Sequence, residues 1–88
     1  MEIKTVLRLD YPATVVNRPI VSHLVRNLGL AVNILRAEVS SEVGWLLVEV
    51  SGLEENYSRA LDYMRTEGLK VTEYPQGPPE DPAQIAGR

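Results

Sequence analysis

Few of the 88 residues have side chains suited to acid–base, nucleophilic or metal chemistry. His23 is the one imidazole, and there is no cysteine. A thiolate nucleophile, a thiolate zinc site or an iron–sulfur cluster held by these residues is therefore excluded. A metal site would have to form from carboxylates around His23, and no such cluster is visible. Ser22 adjoins His23, but consecutive residues on a helix point about 100° apart, so the two do not make a nucleophile and its base. The six glycines stand singly at 29, 44, 52, 68, 77 and 87, which is no phosphate-cradling loop. The acidic residues alternate with apolar ones or fall on the outer side of a predicted helix, the pattern of a solvated surface. No catalytic residue, metal or cofactor is expected, and the chain reads as a non-enzyme.

Two residues remain that suit recognition. Trp45, on a predicted strand, offers a stacking surface, although packing is the commoner use of a strand aromatic. Asn33 lies near the start of a strand between Val32 and Ile34, where asparagine is a poor strand former. It either satisfies nearby backbone or serves as a polar hook at a ligand or subunit interface.

The formal charge is −3, and the nine basic residues are scattered rather than striped. A nucleic-acid partner is not expected without a basic footprint. The apolar runs fall short of the roughly 20 residues that span a bilayer, so no membrane insertion is expected. Met1-Glu2-Ile3-Lys4 has no apolar signal core, which leads to the expectation of a cytoplasmic protein.

These residues are positioned by elements that the periodicity outlines. Ile3, Thr5, Leu7 and Leu9 alternate with Glu2, Lys4, Val6 and Arg8, predicting a half-buried strand that ends at Asp10-Tyr11-Pro12. Asn17 as cap and Pro19 in the first turn predict a helix over 18–28, with Ile20, Val21, Leu24, Val25 and Leu28 on one stripe and Gly29 as its stop. His23 falls just outside that stripe, a boundary position half-covered by a neighbouring strand. Residues 30–51 predict a hairpin. Asn33, Leu35, Ala37 and Val39 form one face of its first strand, and Ile34, Arg36 and Glu38 the other. Ser40, Ser41, Glu42 and Gly44 make the turn, and Leu46, Val48 and Val50 alternate with Trp45, Leu47 and Glu49. Ser51-Gly52 opens a second helix with Leu53, Tyr57, Ala60, Leu61 and Met64 on its stripe, stopped by Gly68. Residues 69–74 form a last strand. From Pro75 the composition turns proline-rich, so residues 1–74 form the domain and 75–88 a flexible C-terminal tail.

Strand, helix, hairpin, helix, strand is the order of an α+β ferredoxin-like βαββαβ fold. Right-handed crossovers then place two helices on one face of a four-stranded antiparallel sheet. The other face, carrying some of Val6, Ile34, Trp45 and Leu47, is too apolar to leave entirely in water.

Asn33-Ile34-Leu35, the following Arg36-Ala37-Glu38-Val39, Gly44 and Leu47-Val48-Glu49-Val50-Ser51-Gly52 resemble the NIL domain, named for that tripeptide. The Pro19–Arg26 helix and Tyr63–Val71 extend the resemblance over residues 3–74. It implies the ferredoxin-like fold, related in shape to amino-acid-binding ACT domains. NIL domains terminate the ATPase subunits of bacterial methionine importers, where they pair, bind methionine and inhibit transport. Others are fused to ferredoxins linked to sulfur metabolism. The resemblance thus implies a free-standing sensor, a homodimer binding a sulfur amino acid such as methionine. Asn33, with its neighbours Ile34 and Leu35, is the site. The alternative is an interaction module that docks on an iron–sulfur (ferredoxin) or ABC-transporter partner and binds no small ligand.

Overall fold

In a computed structural model of the chain, the described residues are 1–13, 19–40 and 44–78. The elements are strand β1 (Glu2–Tyr11), helix α1 (Ile20–Arg26), strands β2 (Ala31–Val39) and β3 (Gly44–Leu53), helix α2 (Glu54–Thr66) and strand β4 (Lys70–Tyr74). The strands form one antiparallel sheet in the order β2-β3-β1-β4, the expected ferredoxin-like arrangement. Alternation in β1 and β3 sends Leu7, Leu9, Val48 and Val50 to the face carrying both helices. There they join Ile20 and Leu24 of α1 and Ala60 and Met64 of α2 in one buried cluster. The two central strands are thus as the periodicity predicts, but of the expected helical stripes Val25 is exposed and Leu53 ends β3, also exposed, instead of joining α2.

The element ends differ from expectation in two places. Helix α1 begins at Ile20, capped by Pro19 (φ −80°, ψ 61°) without a side-chain hydrogen bond; Asn17, the expected cap, lies outside the described residues. Ser51 and Gly52 do not open a helix: they pair with Lys4 and Ile3 of β1, and β3 runs on to Leu53. As a central strand β3 is bonded on both sides, and Gly52 is used for closeness instead. Its φ is 153°, and a Cβ there would stand 2.8 Å from Leu30 Cδ2. Helix α2 then starts at Glu54, whose N–H donates to the Met1 carbonyl at 2.8 Å.

The largest correction concerns β2. Its register against β3 slips between Ile34 and Arg36, leaving Leu35 at a bulge. One extra residue reverses the face of everything beyond it. Asn33, opposite Glu49, therefore shares the helix-free face with Arg36 and Glu38. Ile34, opposite the core residue Val48, lies on the helix side rather than the open face. The turn residues Ser41 and Glu42 lie outside the described residues. So do residues 79–88 of the expected tail; before them, Gly77 N–H closes a turn onto the Tyr74 carbonyl at 3.0 Å.

Candidate functional site

The helix-free face covers itself. Val6 and Leu47 are 3% and 2% exposed, although no helix among the described residues lies over them. Leu47 stands between Arg8 and Arg36, and Val6 between Glu49 and Tyr74, so long side chains on neighbouring strands close over a small apolar centre. Arg8 organises the cover. Its Nη2 donates to Asp10 Oδ1 at 2.8 Å and its Nε to Oδ2 at 3.1 Å, while the guanidinium lies 4.9 Å from the Trp45 ring centroid. Trp45 Nε1 in turn donates to Glu38 Oε2 at 3.1 Å. Trp45 is thus engaged by its own sheet rather than presented as a free stacking platform. The signal that sequence reasoning passed over was Arg8 and Asp10, two residues apart on the polar face of β1.

His23 is half-buried, and its partner is a helix and not a strand: its ring stacks on Tyr63 of α2, centroids 4.1 Å apart at 23°. That contact ties α1 to α2. Burial, with the charge of Tyr63 adding to it, pushes the Tyr11 phenol up to about 12. Tyr57 is pushed further above the ordinary tyrosine value, first by burial and then by its hydrogen bond to Glu73 Oε1 on β4. Among the described residues no group of three or more His, Asp or Glu side chains is placed to hold a metal. No helix among them is long and apolar enough to cross a membrane.

The tripeptide Asn33-Ile34-Leu35 lies on β2, an edge strand whose residues from Asn33 to Val39 are all exposed. The three side chains do not converge: Asn33 stands on the helix-free face, Ile34 (52% exposed) on the helix side, and Leu35 (38% exposed) at the bulge. Two cavities lie among other described residues. One, of about 230 Å³, is apolar and lies between the start of α1 and the β2–β3 end of the sheet, lined by Tyr11, Pro19, Ile20, Val21, Ser22, Val39 and Leu46. The other, of about 270 Å³, lies on the helix-free face between Lys4, Thr5, Val6, Glu49 and Pro75–Pro78. The first suits an aliphatic or thioether side chain; sequence reasoning missed it because its lining comes from four separate elements and loops.

Comparison with known proteins places these features in a family context. The model of the NIL domain family matches residues 5–73. The iron–sulfur subunit of L-aspartate semialdehyde sulfurtransferase from Methanocaldococcus jannaschii is 35% identical over 49 residues, covering 56% of this chain and 37% of that protein. The methionine import ATP-binding protein MetN of Aliivibrio fischeri is 26% identical over 69 residues, covering 74% of this chain and 20% of that protein. The chain thus spans well under half the length of either relative. Among solved structures, the C-terminal domain of an ABC transporter ATP-binding protein from Enterococcus faecalis superposes with a TM-score of 0.68 at 22% identity. The superposition covers 78% of this chain and 81% of that one. At that identity the likeness is one of fold.

Proposed function

The chain belongs to the NIL domain family, and on that premise we propose that it is a cytoplasmic regulatory sensor, a homodimer that binds a small sulfur amino acid, methionine first, through Asn33. The observation that carries this reading is the placement of Asn33 on an exposed edge strand. An asparagine contributes little to a strand, and this one lies between the exposed Ile34 and the half-buried Val32, outside the buried cluster. Its amide offers two donors and an acceptor, enough to hold a carboxylate or a facing backbone. Ile34 stands on the opposite face of the sheet, so Leu35, exposed at the bulge, is the neighbour proposed to meet the rest of the ligand. Methionine is favoured because a relative is a methionine import protein, and the sulfur context because another serves a sulfurtransferase. The domain regulates and does not catalyse.

A second reading has its own support. Both relatives are far longer than the segment they share with this chain. A domain repeatedly joined to an ATPase or an iron–sulfur protein is suited to docking on such a partner without a small ligand.

Calorimetric titration with methionine, homocysteine and cysteine separates the two. The sensor requires heat with at least one of them, and Asn33→Ala should weaken binding by about 1–3 kcal/mol, the cost of one or two buried hydrogen bonds. Urea melts of the two proteins should coincide. No heat at millimolar ligand rejects the sensor and leaves the docking module. A melt weakened by the mutation with affinity unchanged assigns Asn33 a structural role.

A further inference from the structure

Strand β2 is the least protected edge of this sheet. It presents nine residues on its outer side and contains neither proline nor lysine, two of the usual guards against edge pairing. Of the large apolar residues that stand exposed among the described residues, Ile34, Leu35 and Val39 all belong to it. Arg36 makes no ion pair among the described residues, and Glu38 spends only Oε2 on Trp45. An exposed apolar edge with an unspent cation and an unspent carboxylate oxygen calls for a particular kind of strand opposite it.

We infer that β2 pairs antiparallel with β2 of a second copy of this chain about a two-fold axis at Ala37. The inference rests on the homodimer of the proposed function and adds its seam and register. In a two-fold antiparallel pair, residues equidistant from the axis face each other on the same side of the sheet. With the axis at Ala37, Arg36 of each copy meets Glu38 of the other, both on the helix-free face, and Leu35 meets Val39. The smallest side chain of the segment sits on the axis. An axis at Arg36 or at Glu38 would instead set like charges against each other, and one at Leu35 would centre the seam on the bulge. The sequence Leu35-Arg36-Ala37-Glu38-Val39 is self-complementary in one register only.

This seam has a consequence for the site. Val39 lines the 230 Å³ apolar cavity. Pairing about Ala37 lays Leu35 of the second copy beside it, and the bulge at Leu35 interrupts the regular pairing beyond that point. Leu35 of each copy then borders the cavity of the other, while Asn33 stays on the helix-free face, so the pair brings one residue of the tripeptide to the cavity.

Cysteine cross-linking reads the register directly, because the chain has no cysteine of its own. In Ala37→Cys the two Cα atoms across the axis would be about 4.5–5.5 Å apart, within disulfide reach. In Val39→Cys they would be about 13 Å apart along the strands. Mild oxidation should therefore cross-link Ala37→Cys nearly completely and Val39→Cys hardly at all. Sedimentation should show the wild type as a dimer at about 100 µM, Arg36→Glu weakened about tenfold or more, and Arg36→Glu/Glu38→Arg restored. A wild-type monomer at that concentration, preferential cross-linking at Val39, or a double swap that fails to restore pairing would each overturn the seam. None of these measurements uses methionine, so a dimer that gives no heat with amino acids refutes the sensor and leaves the seam intact.

Discussion

Replacing Arg8 by alanine measures how far the helix-free face depends on its own charged cover. Arg8 forks onto Asp10 through Nε and Nη2, lies over Trp45, and faces Leu47 across the β1–β3 ladder. Its side chain is 11% exposed and that of Asp10 33%, so the ion pair is neither buried nor free in water. Solvent screening at Asp10 limits the pair to about 1 kcal/mol. The cation–aromatic contact contributes about 0.5–1 kcal/mol. Loss of the aliphatic stem over Leu47 costs a similar amount. Together these predict a destabilisation of about 2–3 kcal/mol for Arg8→Ala. In a domain of this size that lowers Tm by roughly 10–20 °C. Arg8→Lys keeps the charge and much of the stem but not the planar fork, and should cost about half as much. Trp45 is the only tryptophan, so its emission reports the same region without a label. The expected result is a urea midpoint shifted to lower concentration together with red-shifted native emission. A loss below about 0.5 kcal/mol with emission unmoved would refute the claim that Arg8 holds this face closed.

Other parts of the structure give independent tests. Gly52→Ala must fit a Cβ 2.8 Å from Leu30 Cδ2 at a φ of 153°, and should cost about 2–3 kcal/mol in a urea melt. A neutral result would mean that β3 can shift there without penalty. Tyr11 is held protonated up to about 12, and Tyr57 higher still. The unfolded chain loses those protons near 10. Above that pH the native state binds more protons than the unfolded one. Stability is therefore complete below about pH 10 and falls as pH rises towards 12. Absorbance titration at the phenolate band should show Tyr11 and Tyr57 ionising late, only as the fold is lost. Removal of residues 79–88 is proposed to leave Tm within about 2 °C, and a larger fall would assign that stretch a part in the domain.

The architecture was legible because β1 and β3 are central strands with unbroken alternation. Leu7, Leu9, Val48 and Val50 repeat at period two and all reach the core. The helical stripes were equally clear in Leu24, Ala60 and Met64. What misled was backbone irregularity. The bulge at Leu35 reverses the faces of β2, and no residue type marks it, so Asn33 was grouped with Ala37 and Val39 instead of Arg36 and Glu38. Ser51-Gly52 looks like a helix entry, yet the glycine serves a close approach to Leu30 in mid-sheet. Partners far apart in sequence were also out of reach: His23 on Tyr63, and Arg8 shielding Leu47 on another strand. At the proposed site, Asn33 stands out in the sequence as a poor strand former, but its surroundings do not. Edge exposure and face depend on which strand flanks which.

The sheet order has a kinetic consequence. Of its three pairings only β2–β3 joins consecutive strands; β1 is flanked by β3 and β4, so that Val6 faces Tyr74. Closing such distant contacts costs loop entropy before any strand pairing repays it, which slows folding relative to a helical bundle of equal length. Until β3 and β4 pair with it, β1 is a ten-residue segment with an apolar row of Ile3, Leu7 and Leu9 and with both edges unpaired. A segment of that kind is prone to pair with its counterpart on a neighbouring unfolded chain. Lys4, Arg8 and Asp10, interleaved along it, break the apolar run with charge. Arg8 and Asp10 close over the finished face; in the unpaired strand the same charges interrupt its apolar row.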